Sequence, residues 1–173
     1  MTADDICARS AGKKTYCLQR QGLFSLALSI TGCRQLAEDA IQTALERLCR
    51  LNTAPHGDFS NYVFASVRNA ARDSMRTANR ASRARESIFN GFAASLSDAE
   101  SPSDDVLTAE RDQILRTAVN ALDDANREVI VLKVFAGLTF DAIGEILEQP
   151  AKTVATRYRR ALMKLEERLR GQL

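Results

Sequence analysis

Lys152, Thr153, Thr156, Arg157, Arg159 and Arg160 share one arc of a helix near the C-terminus of this 173-residue chain. Side chains of these types at this spacing recognise nucleic acid. An arginine fork reads guanine with two hydrogen bonds, and a threonine can touch the methyl of thymine. Thr153, Thr156, Arg157 and Arg160 are the candidates for base edges in a major groove. Lys152 and Arg159, at the margin of the arc, suit phosphates, which position a protein without specifying sequence. At about 100° per residue, Val154, Tyr158, Ala161, Leu162, Leu165 and Leu169 fall on the opposite, core-facing stripe. From Pro150 to the end there are seven Lys/Arg and two acids, whereas Val106–Gln149 carries four basic and eight acidic residues. A helix aimed at phosphates needs that asymmetry, because it must attract DNA locally without making the whole domain adhesive.

A second basic ridge lies earlier in the chain. Arg68, Arg72, Arg76 and Arg80 recur every four residues and form a row along one helix side, with Asn69 beside them. Arg68 to Arg85 holds six arginines and one acid, Asp73. Phe59, Tyr62, Val63, Ser66 and Ala70 occupy a different face. Two basic helices in separate blocks point to two contacts on one nucleic acid; the alternative is a pair of solvated helix faces. Nothing resembles a hydrolytic site. The single histidine, His56, stands in a Pro/Gly loop with no expected Ser–Asp or Cys partner, and no glycine-rich phosphate loop occurs. The chain is therefore expected not to be an enzyme and to need no cofactor. Cys7, Cys17, Cys33 and Cys49 form no CxxC pair, so no metal site is expected, and free thiols suit a reducing cytoplasm. No apolar run approaches a membrane span, and the N-terminus lacks the form of a signal peptide.

Helices must position these residues. With 45% hydrophobic and 27% charged residues, composition is that of a globular protein, and alternating β-branched runs are absent. The expectation is an all-α fold of two small helical domains. After an N-terminal extension, 1–20, the first domain spans 21–80. Leu23, Leu26, Ala27 and Ile30 mark a helix ended by Gly32. A second helix covers Gln35–Arg50, with Leu36, Ala40, Leu45 and Leu48 turned inward. A Pro/Gly loop, Asn52–Asp58, precedes a third helix capped by Asp58 or Ser60. Residues 81–105, rich in Ser, Ala and acids, read as a flexible linker. The second domain, 106–173, should hold helices at Val106–Ala121, Asp124–Ala136, Thr139–Leu147 and Pro150–Arg170. Asp123 is the expected cap of the second of these, Gly137 its stop, and Pro150 suits the first turn of the last. The final pair forms a helix-turn-helix.

These residues resemble the extracytoplasmic-function sigma factors of bacteria, the two-domain promoter-recognition subunits of RNA polymerase. LAEDAIQTALERL resembles the family's polymerase-clamp-binding helix, with Glu38, Asp39 and Gln42 at its acid pair and Gln step. FSNYVFASVRNAARDSMR is similar to its promoter-melting helix, with Tyr62 at a usual Trp and Arg68, Asn69 and Asp73 in register. LDDANREVIVLKVFAGLTFDAIGEIL and TVATRYRRAL resemble the domain that reads the −35 element. Three departures stand out. Glu148 replaces a common turn glycine, so the turn must accept a side chain. Thr43 and Ala44 replace an acidic–aromatic pair, which would reshape the polymerase contact. Tyr62 is a smaller ring than Trp.

The resemblance implies that core RNA polymerase and promoter DNA are partners, with room for an anti-sigma factor. Glu38 and Asp39 would pair with cations on the polymerase, and Gln42 and Leu45 would add hydrogen bonding and apolar area. The alternative for the two acids is a preference for a helix start. Arg68, Asn69, Arg72 and Arg76 would hold melted −10 DNA, and the terminal helix would read the −35 element. Two other functions fit the residues alone. One is a helix-turn-helix repressor or activator that works without joining polymerase; the other is a helical adaptor whose basic faces meet acidic proteins. The two domains are expected to fold separately, and in the free protein to be mobile or closed with the basic helices partly masked.

Overall fold

A computed structural model describes residues 19–51, 57–86 and 114–170, with only the backbone of 81–86. Among the described residues all regular structure is helical. The chain divides into two compact units, Met1–Asp98 and Ala99–Leu173.

The first unit is built from α1 (residues 19–31), α2 (Arg34–Cys49) and α3 (Phe59–Glu86). Gly32 ends α1 at a φ of 65°, a left-handed conformation that glycine adopts without cost, and its N–H bonds the Leu28 carbonyl at 2.8 Å. The Thr31 hydroxyl is buried against the Ala27 and Cys33 carbonyls, which stitches the α1–α2 corner. Asp58 caps α3 as expected, its Oδ1 accepting the Ser60 N–H at 2.7 Å. The Ser60 hydroxyl then donates to Gln19 on α1.

Leu23, Leu26 and Ala27 of α1 meet Ala37, Ala40, Ile41, Ala44 and Leu48 of α2 and Val63, Phe64, Val67, Ala70 and Ala71 of α3 in the core. Two expected inward residues of α2 are corrected here. Leu36 and Leu45 are only half-buried, because they flank a stripe centred on Ala37, Ile41, Ala44 and Leu48. Ala44 is fully buried, so its departure from the family pattern changes interior packing, not the outer surface. Also, α3 continues to Glu86, past the point where apolar periodicity fades, since good helix formers extend a helix without a core to face.

The second unit comprises α4 (residues 114–120), α5 (Asp124–Val134), α6 (Phe140–Leu147) and α7 (Ala151–Leu169). Ala118, Leu122, Ile130, Ala161 and Leu165 form one cluster, with Val119, Tyr158 and Leu169 packed on its edge. Leu162 departs from its expected inward position and is 42% exposed, because it sits at the margin of the α7 stripe. Pro150 caps α7 from outside the first turn, its carbonyl accepting the Thr153 and Val154 N–H groups at 2.8 and 3.1 Å. His56, Cys7, Cys17, Pro102 and the expected linker from Ser87 onward lie outside the described residues.

Candidate nucleic-acid and polymerase interface

The placement of α7 is set by three devices. The first is the α6–α7 turn. Thr139 caps α6 by accepting the Ala142 N–H at 3.2 Å. At the other end Glu148 takes a φ of 55° and ψ of 48°, its N–H bonds the Glu145 carbonyl at 3.3 Å, and the Gln149 N–H reaches the Gly144 carbonyl at 2.9 Å. This crossed pair is the Schellman arrangement that closes a helix C-terminus. The turn therefore accepts a side chain at Glu148 by holding it in the left-handed region. The Gln149 side-chain oxygen is buried in the turn without a hydrogen bond.

The second device is aromatic. The Phe140 and Tyr158 rings pack with centroids 5.6 Å apart, tilted by 58°. The Lys133 ammonium lies 4.8 Å from the Phe140 centroid and donates to the Leu138 carbonyl at 2.9 Å. One cation of α5 thus secures both the α5–α6 turn and the ring that braces α7.

The third is Asp123, the cap of α5. It accepts the Asn126 N–H at 3.1 Å and the Lys164 ammonium of α7 at 2.8 Å. The Lys164 hydrogen bond, with those from Asn126, holds the Asp123 carboxyl down at about 2 against an ordinary 3.8. Beside it Arg127 donates to the Val119, Asn120 and Leu122 carbonyls, closing the end of α4.

These devices sort the cations of the second unit. Lys133, Arg127 and Lys164 are engaged within the fold, Arg168 donates to the Ala118 carbonyl, Arg170 pairs with Glu166, and Arg116 has an internal partner. Among the described residues of the second unit, the cations whose side chains have no hydrogen bond or ion pair are Lys152, Arg157, Arg159 and Arg160. All four belong to the arc picked out from sequence. Lys152, Thr153, Arg159 and Arg160 are exposed, and Thr156 and Arg157 are half-buried.

In the first unit, Glu38, Asp39 and Gln42 are exposed on α2, and Leu45 is half-buried beside them. Because α2 begins at Arg34, neither acid lies in its first turn. Helix-start preference therefore does not account for them. Glu38 accepts from Arg34 at 3.0 Å and Gln42 donates to Glu46 at 3.0 Å, both across exposed turns. Cys49 is exposed in the last turn of α2, and Cys33 sits at its N-cap without a side-chain cap bond.

On α3, Asn69 and Arg76 are exposed, while Arg68 and Arg72 are half-buried and hold partners within the chain. Asp73 pairs with Arg76 at 3.5 Å, as expected of a lone acid in a basic row. Among the described residues no group of His, Cys, Asp and Glu could hold a metal ion.

Sequence reasoning did not single out Gly144, Lys133 or Lys164. A glycine inside a short apolar helix was the available signal for the first. The others depend on packing between helices that periodicity does not report.

Models of known families match both units. Sigma-70 region 2 matches residues 19–81, and sigma-70 region 4 matches residues 112–165. No curated protein matches the chain. Among solved structures the chain is similar to the sigma factor RpoE from Bartonella quintana, solved in complex with the anti-sigma factor NepR. The two are 23% identical, with 91% of this chain and 96% of that one covered and a TM-score of 0.68. It is also similar to CnrH, solved with the cytosolic domain of CnrY, at 21% identity, 99% and 100% coverage and a TM-score of 0.64. At such identities the structural likeness speaks for a shared fold. The two matched regions, one after the other, show that the chain belongs to the sigma-70 family, in the region 2–region 4 layout of its extracytoplasmic-function members.

Proposed function

We infer that this chain is a sigma factor that joins core RNA polymerase and selects promoters. The observation that carries the DNA half of this reading is the sorting of cations in the second unit. Every other described Lys or Arg there has a partner within the chain, and the four left over lie on one arc of the second helix of a helix-turn-helix. We assign that arc, Lys152, Thr153, Thr156, Arg157, Arg159 and Arg160, to the −35 element.

The exposed acids Glu38 and Asp39, with Gln42 and Leu45, supply the polymerase contact, and Arg68, Asn69, Arg72 and Arg76 serve the −10 element. Arg68 and Arg72 reach DNA by exchanging internal contacts for phosphates. Bond-making chemistry belongs to the polymerase, and the chain itself regulates. No described helix is long and apolar enough to cross a membrane, and a cytoplasmic place follows from the polymerase partner. Because RpoE was solved with an anti-sigma factor, we extend the partner set of this chain to a protein of that kind.

Run-off transcription tests the assignment. Purified core polymerase is supplied with genomic fragments, with and without this protein. Transcripts that start at defined sites only when the protein is present are expected. Tight binding of the isolated protein to duplex DNA, with no effect on polymerase, would instead identify a repressor or activator. Binding to acidic proteins with no DNA sequence preference would identify an adaptor.

A further inference from the structure

Thr153 and Thr156 stand on the same arc of α7 but differ in what their hydroxyls are free to do. The Thr156 hydroxyl donates to the Lys152 carbonyl at 2.9 Å. A hydroxyl has one proton, so this bond leaves Thr156 without a donor for DNA. Bonding back onto the preceding turn also draws the oxygen toward the helix backbone, which leaves the γ-methyl as the outward group. The Thr153 hydroxyl makes no such bond and keeps its proton.

Position matters as much as chemistry. At about 100° per residue, the arc from Arg159 to Arg157 is about 160° wide, and Thr156 lies within about 20° of its midline. Cations at the sides of a helix lying in the major groove meet phosphates, and the midline meets base edges. Thr156 and Arg160 flank that midline at equal angles, Thr156 as a half-buried, uncharged side chain tipped with a methyl and Arg160 as an exposed cation.

We propose that Thr156 is a specificity-determining residue that reads the 5-methyl group of one thymine in the upstream promoter element through its γ-methyl and not through its hydroxyl. This rests on the promoter-reading function inferred above and names the base feature that function would select. Thymine alone among the bases presents a methyl in the major groove, so the contact distinguishes it from cytosine and from both purines.

The test uses holoenzyme reconstituted from core polymerase and the full chain, on a promoter found in the run-off screen. Each thymine of the upstream element is replaced in turn by deoxyuridine, which removes the methyl and keeps the pairing. At one position, run-off yield at limiting holoenzyme is expected to fall about four-fold, equivalent to about 0.8 kcal/mol for burying one methyl-sized group. Thr156→Val keeps a methyl and should stay sensitive to deoxyuridine at that position. Thr156→Ser keeps the hydroxyl alone and should transcribe thymine and deoxyuridine templates equally. A serine variant that still distinguishes them, or a valine variant that does not, would show that the γ-methyl of Thr156 is not the group that senses the thymine methyl and overturn the assignment. Normal transcription with no deoxyuridine-sensitive position overturns the role of Thr156 alone. Absence of any protein-dependent transcript overturns the underlying function as well.

Discussion

The Gly144 carbonyl accepts the Gln149 N–H at 2.9 Å, and a β-carbon on Gly144 would lie only 2.6 Å from the Gln149 carbonyl oxygen. The turn between α6 and α7 therefore folds directly onto a bare stretch of α6. Gly144 is required for space, not for an unusual φ, and the obstacle to a larger residue is backbone, which cannot swing away.

Gly144→Ala should accordingly destabilise the second unit. Alanine gains about 1 kcal/mol of helix propensity over glycine. Forcing a methyl against backbone costs about 1–3 kcal/mol. The clash prevails, and a turn that relieves it by shifting also moves the start of α7. Thermal unfolding should show a lowered Tm for the transition of this unit, and promoter-specific transcription should fall further than stability alone accounts for. An unchanged Tm would mean that the turn has room the structure does not show.

Glu148 is the other half of that turn. A residue other than glycine in the left-handed region costs about 1–2 kcal/mol. Glycine takes back about 0.5–1 kcal/mol through its freer unfolded chain. Glu148→Gly should therefore stabilise by about 0.5–1 kcal/mol, read as a raised denaturation midpoint with an unchanged m value. A lowered midpoint would show that the Glu148 side chain contributes more than its backbone strain costs.

Asp123 links acid stability to the placement of α7. Its carboxyl is held at about 2, below the ordinary 3.8, chiefly by the Lys164 hydrogen bond. A depressed carboxylate adds stability that is present above its unfolded pKa and disappears as pH falls through the folded one. The contribution should thus be complete at neutral pH and be lost between about pH 4 and pH 2. Asp123→Asn keeps a cap acceptor and removes the charge. The difference in Tm between the parent and this variant should be largest near neutral pH and close to zero at pH 2. The exposed position of the pair keeps the effect modest. A difference that does not vary with pH would assign the whole role of Asp123 to capping.

Much of this architecture was legible because helices announce themselves locally. Asp123 was read as a cap, and Asp58 as one of two candidates with Ser60, from residue type and position, and both aspartates accept the N–H groups that role demands. The cationic arc of α7 followed from spacing alone. What periodicity missed lies between helices. The Lys164–Asp123 contact joins residues 41 apart, and a helical wheel shows Lys164 only as another outward cation. Lys133 reads the same way, yet its charge is spent on Phe140 and a turn carbonyl. Leu36, Leu45 and Leu162 were misplaced for a related reason: a stripe on a wheel has margins, and the partner helix decides how much of each margin it covers.

On α2 the exposed acids give a sharp test. Glu38→Lys with Asp39→Lys forgoes an exposed Arg34 pair worth about 0.3–0.5 kcal/mol, so helical content should hold. Against cations on the polymerase, the same change sets like charges together, which costs several kcal/mol. Co-purification with core polymerase should be abolished while far-UV circular dichroism is unchanged. Binding that survives the reversal would place the polymerase contact elsewhere.

The cations of α7 separate into base readers and phosphate partners by how their loss depends on sequence. Arg157→Ala or Arg160→Ala should cost about 1–3 kcal/mol of discrimination between the true upstream element and a scrambled one, because a bidentate base contact exists only on the correct base. Lys152→Ala or Arg159→Ala should weaken both DNAs alike and lower the slope of log affinity against log salt by about 0.9, the release of one condensed counterion. Polymerase binding should be untouched in all four variants. The measurement is holoenzyme binding to the two duplexes across a salt series. Arg157 is the discriminating case. It is half-buried at the edge of the arc, where a side chain can reach either a base or the backbone. If its loss proves equal on both DNAs, Arg157 joins the phosphate partners, and guanine recognition by α7 rests on Arg160.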